Sequence, residues 1–189
     1  GASYVCKRKG SMGTVLSVSE LTKSFEVTRG AFSLKKETIH AVRGVSFDLA
    51  TGETVGIVGE SGSGKSTLAR CILLLEKSDT GTILFNGHDL AALGKKALRR
   101  QRKGMQMIFQ DPYSSLNPRK KVKQILGEPM AYHGVPGGGS VVGRVKETLS
   151  QVGLGDEFLD KYPHEMSGGQ RQRIAIVRAI STNPDFIVA

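Results

Sequence analysis

The sequence predicts an α/β fold, and three features of the chain carry that prediction. An apolar strand at 54–58 passes through a glycine-rich loop into a helix. Alternating apolar residues from Val15 and again from Val45 are typical of half-buried strands. Between about 88 and 166 the chain is mostly polar and helical in pattern, with a glycine-rich break at 134–139. Strands and helices in this succession predict a sheet with flanking helices.

Size and composition exclude several classes of protein. With 189 residues, of which 39% are hydrophobic and 23% charged, the chain is long enough for one globular domain. The longest apolar run, 71–75, is far shorter than the roughly 18 to 20 residues of a membrane span. The 2 cysteines are too few for a disulfide framework, and Cys71 is expected in the core. Residues 1–13 are basic without an apolar segment, and we expect a tag or a disordered N-terminus there.

The charge of the chain leaves one alternative open. The formal net charge is +10, and basic residues cluster at 95–103 and at 119–121. A basic surface can bind nucleic acid, anionic lipid or phosphate. Because a solvated protein face explains the same clusters, nucleic acid is the less favoured partner.

The most informative stretch is GESGSGKS, residues 59–66, between the predicted strand and helix. It fits the pattern G-x-x-x-x-G-K-[ST] in the strand–loop–helix context that this phosphate-binding loop requires. Glycines permit a backbone that points N–H groups at an anion, and the positive end of the helix supports them. The lysine reaches the outer phosphates, and the serine hydroxyl can ligate Mg²⁺. The predicted nucleoside triphosphate site consists of Gly59, Ser61, Gly62, Ser63, Gly64, Lys65, Ser66 and Thr67.

A second helix start with unusual glycines lies in YPHEMSGGQRQRIAIVRAI, residues 162–180. Apolar residues recur at helical spacing from Ile174, and Ser167 stands where an N-cap belongs. Glycines lower helix propensity, so Gly168 and Gly169 need a reason. Close approach of the backbone to an anion supplies one.

The segment MSGGQ together with a phosphate-binding loop resembles the signature of ABC-type ATPases. The resemblance implies an ATP-hydrolysing P-loop NTPase core with a mostly parallel sheet, an antiparallel β subdomain and a helical subdomain at about 95–166. It implies a head-to-tail dimer of two ATPase subunits, identical or different, in which each signature contacts the ATP on its partner. The residues that would contact it are Ser167, Gly168, Gly169 and Gln170.

The same resemblance assigns two further site residues. A strand is predicted at Met105–Phe109, and Gln110 follows it; in the family a glutamine there meets Mg²⁺ and the attacking water. The loop after Gln110 contacts the transmembrane permease subunits in that family. An aromatic ring that stacks on adenine is expected near the first strand, where Phe25 is the best match and Phe32 the competitor. Simple core packing is the alternative explanation for both phenylalanines.

Within that family, the segment FQDPYSSLNPR, residues 109–119, closely resembles the ATP-binding subunits of dipeptide and oligopeptide importers. That implies a subunit peripheral to the cytoplasmic face of the cell membrane that energises import of peptides or a related small solute. An apolar strand is predicted at 186–189, and in the family an aspartate and the catalytic glutamate follow such a strand. We therefore expect 14–189 to be an incomplete nucleotide-binding domain whose C-terminal part is missing, with little turnover of its own. A non-transport ABC ATPase that acts on nucleic acid remains the alternative.

Overall fold

The computed structural model describes residues 4–7, 13–28, 36–111, 115–135 and 137–189. The chain divides into two compact units, 1–98 and 99–189, and the division falls inside a helix. Each unit is described by itself.

The first unit is built around an antiparallel sheet with the strand order β3-β2-β5-β6. Two 15-residue strands dominate it. From Val45, half-buried apolar residues alternate with exposed polar residues, as predicted, because successive side chains of a strand point to opposite faces. From Val15 the predicted alternation is interrupted, because Val15 and Leu16 are both buried and the pairing of β2 with β3 is irregular at that point. The elements of this unit are β1 Tyr4–Lys7, β2 Thr14–Thr28, β3 Lys36–Ala50, β4 Val55–Val58, α1 Lys65–Ile72, β5 Thr80–Phe85 and β6 His88–Asp89.

The turn between β5 and β6 is a two-residue hairpin, which the pair Asn86-Gly87 in the sequence predicts. Asn86 and Gly87 both have positive φ, +48° and +76°, and Phe85 pairs with His88. A two-residue turn of this kind needs positive φ at both central positions, which asparagine and glycine adopt most easily. The Asn86-Gly87 signal in the sequence is thus confirmed.

A short strand lies within the segment that we expected to be a tag or disordered. Tyr4–Lys7 forms β1 and pairs antiparallel with β4, Tyr4 opposite Val58. An unpaired strand edge offers N–H and C=O groups to any extended segment that reaches it, which explains the pairing. The expectation of disorder therefore does not describe these four residues.

The second unit packs helices against a short parallel pair of strands. Its core contains Val122, Leu126, Val145, Leu149 and Ile174, all at most 1% exposed. The helix α2 has no buried residue, and six of its nine residues are lysine or arginine. The elements are α2 Lys95–Lys103, β7 Met105–Met107, α3 Val122–His133, α4 Val141–Ser150, 3-10 turns at Asp156–Phe158 and Pro163–Glu165, α5 Gly168–Ile180 and β8 Phe186–Val188.

Two strand predictions in this unit need correction. β7 ends at Met107, two residues before the predicted end at Phe109, because its parallel partner β8 offers only three residues for pairing. The strand predicted at 186–189 is present as β8, yet only Phe186 is buried and Ile187 is 38% exposed. Among the described residues β8 pairs with β7 alone, so much of it stays in contact with solvent.

The helices α2, α3 and α4 fall within the stretch 95–166 that we expected to form a helical subdomain, whose boundaries stay a prediction. Of the helices described, none combines the length and the apolar composition that crossing a membrane requires. The α/β class is confirmed.

Candidate functional site

The phosphate-binding loop connects β4 to α1, as the sequence predicts. Gly62 and Gly64 have φ of +79° and +94°, which side chains rarely adopt. A Cβ on Gly64 would stand 2.0 Å from the carbonyl oxygen of Ala41 in β3. Glycine is therefore required at position 64 for two reasons, the backbone conformation and the close approach of β3 to the loop.

Lys65 holds the loop together from the first position of α1. Its ammonium donates to the carbonyl oxygens of Gly59 and Glu60, both at 2.7 Å, and lies 3.4 Å from the hydroxyl of Ser63. The cation thus sits inside the loop that the sequence assigns to phosphate. Carbonyl oxygens are weaker partners for an ammonium than a phosphate oxygen, so an anion can replace them.

The remaining predicted loop residues lie at the start of α1 or just before it. Ser61 and Ser66 are exposed, while Thr67 is half-buried. The first turn of α1 contains no acidic residue, so its positive end is not neutralised locally. Within the described ranges no cluster of three or more His, Cys, Asp or Glu could hold a metal ion by itself. The exposed hydroxyl of Ser66 is an oxygen donor of the kind that Mg²⁺ prefers.

Phe25 lies on β2 beside the strand that contacts the loop. It pairs with Ile39 in β3, two residues or about 7 Å along the strand from Ala41. Its side chain is 38% exposed, and the ammonium of Lys23 stands 4.9 Å from its ring centroid. Core packing, the alternative explanation for Phe25, is therefore wrong. The competitor Phe32 lies outside the described residues.

The signature segment begins α5 with a complete cap. Ser167 has extended backbone, and its N–H donates to the side-chain oxygen of Gln170 at 2.9 Å. The N–H of Gln170 in turn lies 3.4 Å from the Ser167 hydroxyl. This reciprocal capping box confirms Ser167 as N-cap, and it occupies the amide oxygen of Gln170. Gln170 as a ligand-binding residue stays a prediction.

Gly168 and Gly169 are exposed, and a Cβ on either would meet nothing within 4 Å. The fold of this unit therefore supplies no steric reason for glycine at these two positions. Their N–H groups lie in the first turn of α5, where helix N–H groups have no intrahelical partner. Close approach of an anion as the reason for these two glycines stays a prediction.

Gln110 is exposed and lies three residues beyond the end of β7. Residues 112–114 of the following loop are outside the described ranges. Lys65 and Ser66 belong to the first unit, whereas Gln110 and Ser167 belong to the second.

Two arginines that support the signature helix were not predicted from the sequence. Arg171 donates through Nη1 to the carbonyl oxygens of Pro163, at 3.2 Å, and of Met166. Arg178 donates through Nη1 to the carbonyl oxygen of Ser115, and burial lowers the pKa of its guanidinium. Residues at i, i+3, i+4 and i+7 share a helix face, which places both arginines on the face of buried Ile174. The sequence feature that could have indicated them is the position of two arginines on the apolar face of this helix.

Comparison with known proteins gives the family. A model described as "ABC transporter" matches residues 42–189. The chain is 48% identical over 177 residues to the oligopeptide transport ATP-binding protein AppF of Bacillus subtilis (strain 168), covering 93% of this chain and 54% of that protein. It is 46% identical over 175 residues to the glutathione import ATP-binding protein GsiA of Salmonella paratyphi A, covering 93% of this chain and 28% of that one.

Solved structures of ATP-binding cassettes are also similar to this chain. The dimeric, post-hydrolysis structure of the ATP-binding cassette MJ0796 bound to ADP and Pi superposes with a TM-score of 0.75 at 28% identity, covering 91% of this chain and 72% of that chain. The chain spans about half the length of AppF and less than a third of GsiA. Because the family model matches well over half of its residues, the chain belongs to the ABC transporter family.

Proposed function

We propose that this chain is the nucleotide-binding part of an ATP-hydrolysing subunit that energises import of peptides or a related small solute. The observation that carries the proposal is the geometry of the loop at 59–66. The ammonium of Lys65 donates to the carbonyl oxygens of Gly59 and Glu60, and the loop glycines 62 and 64 have positive φ. Such a loop binds the phosphates of a nucleotide. The similarity to AppF and GsiA supports the class of solute.

Each predicted residue has a distinct role in this proposal. Lys65 moves from the loop carbonyls to the outer phosphates of ATP, and Phe25 stacks on the adenine. Ser66 would hold Mg²⁺ through its hydroxyl, and the resemblance to the family assigns Gln110 to the same ion and to the attacking water. When bound, Mg²⁺ neutralises charge that develops on the γ-phosphoryl group. Bound phosphate replaces two carbonyl partners of a cation with stronger anionic ones, which favours binding.

The signature completes the site of a second ATPase subunit. Ser167, Gly168 and Gly169 form the exposed and capped start of α5. In a head-to-tail dimer they contact the γ-phosphate of ATP on the partner, and the partner's signature does the same in return. The dimeric structures of MJ0796 support such an assembly.

The subunit is proposed to act at the cytoplasmic face of the cell membrane, as a peripheral partner of transmembrane permease subunits. The loop after Gln110 makes that contact. The names of the relatives, a transport and an import ATP-binding protein, support this location.

The test measures hydrolysis of Mg-ATP by the ATPase subunit and by its Lys65→Ala variant. We expect Lys65→Ala to lose most of the hydrolysis rate, because the lysine of this loop contacts the phosphates that carry the developing charge. Hydrolysis by Lys65→Ala at the wild-type rate would refute the assignment of the loop at 59–66 as the site of turnover.

The same assay examines the nucleic-acid alternative, which rests on the net charge of +10 and the basic clusters at 95–103 and 119–121. Addition of double-stranded DNA or of RNA is expected to leave the hydrolysis rate unchanged, whereas permease subunits in vesicles are expected to raise it. Stimulation by nucleic acid and none by permease would favour the alternative.

A further inference from the structure

The feature that the proposed function leaves unexplained is Arg178, in the last turn of α5. Its Nη1 donates to the backbone carbonyl of Ser115, 63 residues away in sequence. The residue is half-buried, and in the described part of the chain no carboxylate lies within ion-pair distance of it. A guanidinium that exchanges water for one carbonyl group gains little stability from the exchange. A role in fixing the position of that carbonyl explains the arrangement better.

The bond joins the two functional segments of this unit. Ser115 lies five residues after Gln110, in the loop proposed to contact the permease. Arg178 lies near the end of α5, and Ser167 caps the start of the same helix. Thirteen helical residues span about 20 Å. One helix therefore extends from the signature to the segment that follows Gln110.

The other end of this helix is fixed as well. Arg171 donates to the carbonyl groups of Pro163 and Met166, and Met166 directly precedes the signature serine. Between the two arginines, Ile174 and Val177 are fully buried in the core of the unit. A displacement of Ser115 thus acts on one end of a rigid element whose middle is packed and whose far end carries the signature.

We propose that Arg178 is a positioning residue that transmits displacement of the loop after Gln110 along α5 to the signature at Ser167. This inference rests on the proposed function, since it requires a permease contact at that loop. Arg178 acts through the carbonyl of Ser115, to which its Nη1 donates. Its expected effect is on the response to the permease and not on the affinity for ATP.

The test uses the full ATPase reconstituted with its permease subunits in lipid vesicles. We compare wild type, Arg178→Met and Arg178→Lys, with Arg144→Met as the matched control, because Arg144 is a partly buried arginine of the same unit that pairs locally with Glu147. Arg178→Met should keep the KM for ATP and the basal rate within about twofold, and should lose roughly tenfold or more of the permease stimulation, as misplaced catalytic elements do. Arg178→Lys should recover part of the stimulation, since an ammonium can still donate to the carbonyl. Arg144→Met should respond to the permease as wild type does.

Failure of this inference and failure of the proposed function give different results. A wild-type ATPase that binds ATP and does not respond to the permease removes the premise. A wild-type response that Arg178→Met fully retains overturns the role of Arg178. If Arg178→Met does not fold, the decision rests on Arg178→Lys. Faster hydrogen exchange at 116–120 together with reduced stimulation by the permease supports the role of Arg178. Full stimulation by the permease, despite faster exchange at 116–120, overturns it.

Discussion

Replacing Gly64 by alanine should destabilise the first unit more than replacing Gly62, the other glycine of the phosphate-binding loop with positive φ. Gly64 has φ of +94°, and an L-residue in a left-handed conformation costs about 1–2 kcal/mol. Its added Cβ would also stand 2.0 Å from the carbonyl oxygen of Ala41 and 3.0 Å from the carbonyl carbon. Those atoms are backbone, so the contact is relieved only if β3 moves away from α1. Such overpacking costs about another 1–3 kcal/mol.

The two costs together give about 2–5 kcal/mol, and one kcal/mol corresponds to about 2–4 °C in Tm for a chain of this size. Gly52→Ala is the matched control, because Gly52 has φ of +72° and its Cβ would meet nothing within 4 Å. It should show only the conformational cost of about 1–2 kcal/mol. Gly62→Ala, with φ of +79° and open space around it, should resemble Gly52→Ala in stability.

Thermal unfolding of the three variants, followed by circular dichroism, makes the comparison. We expect Gly64→Ala to unfold well below both controls. A Tm for Gly64→Ala equal to that of Gly52→Ala would refute the close approach of β3 to the loop, and with it the reason for glycine at this position.

Three further predictions concern the second unit. Ser167→Ala removes the hydroxyl of the capping box and should lower the free energy of unfolding by about 1 kcal/mol in denaturant titrations, and an unchanged midpoint would show that the cap contributes nothing. Gly168→Ala should leave the Tm within about 2 °C, because its Cβ has open space, yet should abolish ATP-dependent dimerisation measured by light scattering; a normal dimer would contradict the signature's role. Hydrogen bonds from Lys123 and Lys121 lower the pKa of Asp160, so the stability from this carboxylate is present above its ordinary pKa of about 3.9 and is lost as pH falls through the lower, folded value. Asp160→Asn should therefore lower Tm at pH 7 and have no effect at the acid end, and an effect that persists in acid would argue against this ion pair.

The sequence predicted those parts of the site that depend on local backbone chemistry. The turn at Asn86-Gly87, the placement of the loop at 59–66 between a strand and a helix, and the N-cap Ser167 all follow from residues adjacent in the chain. The structure confirms this local geometry, while phosphate binding by the loop stays a prediction. Glycine at 64 was assigned to phosphate binding alone. The contact with Ala41, 23 residues upstream, adds a second cause that no local pattern contains.

Long-range contacts account for what was missed. The exposure of Phe25 depends on the pairing of β2 with β3, and the end of β7 depends on the short strand β8. The role of Arg178 could not be predicted from its position in a helix, because its partner Ser115 lies 63 residues away in the sequence. A strand for Tyr4–Lys7 was unexpected because the edge of β4 becomes available only in the folded unit.

The measurement that tests the account most directly is binding of Mg-ATP to this chain by isothermal titration. Wild type is compared with Lys65→Ala and with Lys77→Ala, which removes an exposed lysine of the same unit outside the loop. We predict that Lys65→Ala weakens binding at least tenfold, since it removes the one charged side chain that spans the loop, about 1.4 kcal/mol or more. Lys77→Ala should bind as wild type does. Equal binding by all three proteins would contradict the claim that the loop at 59–66 is the nucleotide site.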